Sequence, residues 1–313
     1  MYKYAKLRSV LFLIWLATLI VAPARAEAAV RVVASIAPIH SLVAAVMEGV
    51  AQPQLLVEAG ASVHSYQLKP SQMRQLHHAD LVVWVGESVE SFLPRTLASL
   101  PDDVAVVELM TQPGMVLLPA RRGGMWEEGG HEAGRDHHHG DIDGHLWLDP
   151  VNAQRIVQAV AKRLARLDPD HAQRYRRNSE ALVGRLNDLD GELRRRLAPV
   201  RNVPYLVYHD AFHYFEARYE LNASGSITVD PGRKPGARRL RQIRQRVEVL
   251  GVHCVFREPQ FPASVTRVVS EGSGLTTAVL DPLGVGLEPG PVLYFQLMRQ
   301  LADGLIDCLQ ASP

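Results

Sequence analysis

The 313-residue chain holds only two cysteines, Cys254 and Cys308, set 54 positions apart. That spacing excludes the short cysteine pairs of thiolate zinc knuckles. Charge of one sign is also scarce. Lys and Arg number 34 against 33 Asp and Glu, for a formal net charge of +1, a balance that argues against nucleic acid as a partner. No apolar run reaches the roughly 20 residues a spanning helix needs; the run at residues 10–22 has only 13. There is no H-E-x-x-H pair of a zinc peptidase, no internal repeat, and no lipobox cysteine near the N-terminus.

What is present at the N-terminus fixes the compartment. Residues 1–26 carry Lys3, Lys6 and Arg8, then the apolar run, then Ala24-Arg25-Ala26. Basic, apolar and small residues in that order make a secretory signal peptide cleaved after Ala26. Cleavage removes four positive charges and no acids, so the formal charge moves from +1 to −3. The mature chain is expected to be soluble and outside the cytoplasm. Oxidising surroundings favour pairing of Cys254 with Cys308 over two buried free thiols. Closing a loop of that length contributes about 4 kcal/mol on the chain-entropy model.

The mature length suits two domains or one large one. Continuous apolar stretches alternate with helical ones: VRVVAS (residues 30–35), QLLVEA (54–59), DLVVWV (80–85) and VAVVEL (104–109) read as strands. PIHSLVAAVMEGV, PSQMRQLHHA (with Ser71 as its cap) and SVESFLPRTLASL read as helices. The second half repeats the pattern in PYLVYH, ASGSIT, VHCVF and TTAVL, with a closing helix from Pro291. Fully apolar strands between amphipathic helices predict parallel β/α layers covered on both faces. Between the halves, residues 168–197 place Ala172, Tyr175, Ser179, Leu182, Leu186, Leu189, Leu193 and Leu197 three or four apart. This is one buried stripe on a helix of roughly 43 Å. The expected organisation is an α/β fold: an N-terminal β/α lobe at 27–166 with a His-rich loop at 120–144, a long rigid helix at 167–198, and a C-terminal β/α lobe at 199–313.

Four residues stand out as ligands. His209 ends LVYH and Asp281 follows AVL, both at strand ends; His64 lies beyond QLLVEA, and His145 sits in the turn-like GHLWLDP. In open α/β sheets ligands bind beyond the carboxyl ends of strands. Three imidazoles and a carboxylate suit tetrahedral Zn²⁺. The other histidines read more plainly: His40, His77, His78 and His171 as helix-surface residues, His253 as strand packing, and His213 as a helical position or a support to His209. The basic run from Arg233 to Arg246 reads as a solvated helix face, and Glu216 and Glu258 have no spacing that makes either a general base.

These residues together amount to a resemblance. GASVHSYQLKPSQMRQLHHADLVVWVGESVESFL resembles the first ligand block of the metal-binding periplasmic components of ABC importers, in the zinc-uptake (ZnuA-type) group. GHLWLDP resembles the second block, YHDAFHYFEARY the third and LDPLG the fourth. The resemblance implies two β/α lobes joined by a long helix, with Zn²⁺ in the interlobe cleft on His64, His145 and His209. Asp281 or water completes the set. Some zinc members carry a carboxylate before the first histidine; here Val63 stands there. Manganese and iron relatives have a carboxylate in the third block, so His209 decides for zinc. The resemblance further implies delivery of Zn²⁺ to a membrane permease, and a monomer is expected; by composition, His131, His137, His138 and His139 form a weaker secondary metal catch or else a solvated linker. A manganese- or iron-uptake binding protein or a metal-dependent adhesin of the same fold is the alternative function, with a zinc hydrolase behind them.

Overall fold

The computed structural model describes residues 29–58, 60–121, 142–228 and 235–311. The expected signal segment and the loop histidines His131, His137, His138 and His139 lie outside these residues.

Two four-stranded sheets form the lobes. β1 (Val32–Ala34), β2 (Gln54–Leu55), β3 (Leu81–Trp84) and β4 (Ala105–Glu108) lie in the order β2-β1-β3-β4. β5 (Tyr205–His209), β6 (Ala223–Thr228), β7 (Cys254–Arg257) and β8 (Thr276–Val279) lie in the order β6-β5-β7-β8. Every pairing is parallel. Counted from its own first strand, each lobe has the same order, with the chain diverging to either side of that strand. β1, β3 and β5 are buried at every position, as apolar runs covered on both faces must be.

The helices explain how the lobes are held together. α1 (Ala37–Val46), α2 (Pro70–His77) and α3 (Pro94–Leu97) belong to the first lobe, and α6 (His213–Tyr219), α7 (Ala237–Leu250) and α8 (Ser264–Ser270) to the second. Between them run α4 (Pro150–Leu167) and α5 (Ala172–Leu197), and α9 (Leu293–Gln310) closes the chain. α4 starts sharply because the Asp149 carboxylate accepts from Val151 N at 2.9 Å and Pro150 occupies the first turn. α5 has 26 residues, a rod of about 39 Å. Its buried side chains are Tyr175, Ser179, Leu182, Leu186, Leu189, Leu193 and Leu197. One apolar cluster runs from the strands of the first sheet through α4 and α5 to the strands of the second and to α9. At its centre Tyr294 of α9 donates from N to Ser41 Oγ of α1 at 2.9 Å and from its hydroxyl to Trp147 O at 2.8 Å. A Cys254–Cys308 disulfide ties β7 to α9.

Several local expectations differ from this structure. The helix expected from residue 168 is interrupted: a 3-10 turn, Pro169–His171, precedes α5. Ser71 does not cap α2; Lys69 holds that position and donates its N–H to Gln72 Oε1 at 2.8 Å. The strand expected at 54–59 keeps only two residues, and the helix expected at 88–100 only Pro94–Leu97. His40 is buried, not on a helix surface, because α1 is enclosed on every side; its Nε2 donates to Pro53 O at 3.0 Å. His253 is exposed just before β7 and does not pack inside the strand.

The α5 stripe generates a prediction. Leu186 is fully buried, so Leu186→Ala is expected to lower unfolding free energy by about 2–5 kcal/mol, measured by urea denaturation of the metal-free protein.

Candidate metal centre

The three predicted histidines meet. One ligand nitrogen from each of His64, His145 and His209 lies within 4.8 Å of the others. Their ring centroids stand 5.3–5.6 Å apart. Three separate segments bring them there. His64 sits on a short 3-10 turn, Val63–Ser65, beyond β2, and is partly exposed. His145 opens the turn that leads into α4, and His209 ends β5 at the carboxyl edge of the second sheet. Both are buried. Gly144 is required beside His145, because a Cβ there would clash with Ser88 and Val89.

Two carboxylates orient the buried rings. Asp143 Oδ1 accepts from His145 Nδ1 at 2.7 Å and from its backbone N–H at 2.9 Å. Glu258 Oε1 accepts from His209 Nδ1 at 2.5 Å. With both Nδ1 hydrogens committed, the Nε2 atoms of His145 and His209 present lone pairs to each other at 3.4 Å. A shared proton or a cation relieves that repulsion. This is how protein metal sites commonly hold their imidazoles: the second ring nitrogen is fixed by a carboxylate, which selects the tautomer and raises basicity. No carboxylate among the described residues holds the His64 ring.

The surroundings push the imidazoles in different directions. Burial lowers His64 well below the usual imidazole range, and the neighbouring His209 and His145 lower it further. Burial also works against the charged form of His145, but Asp143 against its ring, helped by Glu258 and Asp210, outweighs this and the net direction is up. Burial and the Arg121 guanidinium lower His213.

Asp281 does not join the convergent nitrogens. Its Oδ1 accepts from Gln260 Nε2 at 2.8 Å and from Leu283 N at 3.0 Å, and its Oδ2 accepts from Val285 N. A strand-end aspartate that bonds backbone N–H groups two and four residues on is shaping a turn. That turn forms one wall of the site: Pro282 and Leu283 line the small cavity around the three histidines. Trp147 spans to it, leaning on His145 at 5.3 Å between centroids and donating Nε1–H to Pro282 O at 2.9 Å. Val63, in the position of a possible extra carboxylate, is buried in the core.

Sequence reasoning missed Asp143, Glu258 and Trp147 as parts of this site. Signals existed for two of them. Asp143 stands two residues before its histidine, and Glu258 follows directly on β7, the same strand-end placement that marks His209.

Glu258→Gln, which keeps the shape but loses the charge, is expected to weaken divalent-metal affinity by about 10–100-fold, measured by competition with a chelator. Acidification is expected to weaken binding as well, since imidazole coordinates only when neutral. Because His145 is shifted upward, its proton competes with the metal from above the ordinary value of 6.5. Affinity measured from pH 8 to pH 5 should therefore begin to fall before pH 6.5 is reached. A profile flat to pH 6 would contradict the assignment.

Comparison with known proteins places the chain in a family. The family model "Zinc-uptake complex component A periplasmic" (ZnuA) matches residues 32–308. The high-affinity zinc uptake system protein ZnuA of Brucella abortus is 41% identical over 304 residues, covering 89% of this chain and 91% of that protein. The protein of the same name from Yersinia pestis is 33% identical over 293 residues, covering 90% and 92%. A crystal structure of ZnuA shares the fold with a TM-score of 0.76 at 24% identity, over 90% of this chain and 99% of that one. The chain is a member of the periplasmic zinc-uptake component A (ZnuA) family.

Proposed function

We propose that this chain captures Zn²⁺ in the periplasm and delivers it to the membrane permease of an ABC importer. The observation that carries this reading is the convergence of three imidazole nitrogens between two lobes. The names of the Brucella and Yersinia relatives support it. Imidazole-rich donor sets favour Zn²⁺ over harder ions such as Mn²⁺. Asp143 and Glu258 behind the rings offset the two positive charges of the cargo, so a buried dication costs less there. Both Asp281 oxygens already accept hydrogen bonds, and we assign the fourth coordination position to water.

The protein acts as a binding component and not as a hydrolase. A hydrolytic zinc site needs a carboxylate free to take a proton from metal-bound water. Here Asp143 and Glu258 bond to the Nδ1 atoms of His145 and His209, not to the Nε2 atoms that face each other across the site. In this reading residues 1–26 direct export and are removed, and no helix among the described residues is long and apolar enough to cross a membrane. The complete three-histidine set lies within one chain, which suits a monomer. His131, His137, His138 and His139 serve as a weaker catch that feeds the site. The single apolar core that includes strands of both sheets limits lobe movement on loading.

The test is elemental analysis with competitive titration of the mature protein by Zn²⁺ and Mn²⁺. Zn²⁺ is expected to bind at one tight equivalent and to displace Mn²⁺, and His209→Ala is expected to abolish tight zinc binding while leaving a soluble, folded protein. Unchanged affinity in that variant would remove the basis of the proposal.

A further inference from the structure

One pair of polar atoms beside the centre has no role in it. Asp143 Oδ1 is committed to His145, but Asp143 Oδ2 is buried with no hydrogen-bond partner among the described residues. His213 Nδ1 is likewise buried and unpartnered among the described residues. The two atoms face each other at 3.7 Å, with the Asp143 side chain 5% exposed and that of His213 18% exposed. That distance is too long for a hydrogen bond. It is close to the separation of two ligands on one ion: nitrogen and oxygen donors at about 2.0–2.2 Å in tetrahedral geometry lie roughly 3.4 Å apart. Leaving two buried polar atoms unsatisfied costs free energy, and a cation between them removes both costs at once.

We propose that Asp143 Oδ2 and His213 Nδ1 form a second, weaker site for a divalent transition-metal ion, completed by water and linked to the first through the Asp143 carboxylate. Its donors, one imidazole and one carboxylate oxygen, suit Zn²⁺, Co²⁺ or Ni²⁺. The partial exposure of His213 gives an ion access from solvent. Nearby charge is mixed: Arg121 lies close, but it is ion-paired with Asp210 and Glu216, which leaves the Asp143 charge uncancelled on this side. With only two protein ligands the site exchanges faster than the three-histidine centre. It also couples to it, because an ion on Oδ2 draws charge from the carboxylate that supports His145. The inference goes beyond the capture of one ion and does not depend on the identity of the tight cargo.

The test uses the mature, Zn²⁺-loaded full chain with Co²⁺ as the probe. Anomalous diffraction at the cobalt edge is expected to place Co²⁺ on His213 Nδ1 and Asp143 Oδ2, apart from the zinc. In equilibrium dialysis, His213→Ala is expected to lose one weakly held equivalent of Co²⁺ while keeping its tight zinc. His209→Ala should lose the tight ion and keep the weak one, so the two assignments fail separately. A cobalt map with no peak there, a direct hydrogen bond or a water between His213 and Asp143 in its place, or equal Co²⁺ uptake by His213→Ala would overturn the proposal.

Discussion

The site depends on two imidazole nitrogens that the fold holds close enough to need a proton or a cation between them. Asp143 and Glu258 hold the outer nitrogens of His145 and His209, so the inner lone pairs meet at 3.4 Å. Neither ring can turn away, because Trp147 leans on one and Phe261 meets the other edge-on. Without a positive charge between them this arrangement is unfavourable; with one it becomes a set of aligned donors. Folding therefore meets the orientational cost of binding in advance, which is how rigid sites reach high affinity.

The scaffold is built to keep those positions. β5 delivers His209 from the second sheet, while the segment before α4 delivers His145, and the apolar cluster around α5 continues between them. The contacts of Tyr294 with Ser41 and Trp147 pin α9 against the first lobe's helix and against the turn that bears His145. The disulfide then carries that constraint from α9 into β7, the strand directly before Glu258. The distances at the centre are thus set by packing and covalent linkage far from it.

How much of this was legible in the sequence follows from the kind of signal each residue leaves. Apolar runs and the stripe from Tyr175 to Leu197 state their burial directly, so the two parallel sheets and the long helix could be read. His209 was marked by its place at the end of such a run. Asp281 carried the same mark and behaves differently, because a strand-end aspartate can turn toward a metal or toward the backbone N–H groups of the next turn, and local sequence does not separate the two. His40 was misplaced because α1 is enclosed by neighbours distant in sequence, which periodicity cannot register. Glu258 escaped notice because its partner lies 49 residues away, a pairing created by the order of strands in the sheet.

The three imidazoles are not equivalent in restraint. Two are gripped from behind by carboxylates within the core, whereas His64 rides on a short turn at the rim, partly exposed and without such a grip among the described residues. In the proposed loaded state the ion would therefore have one yielding contact and two stiff ones. If the three histidines hold the ion as proposed, the rim contact at His64 is the one that gives way first on release.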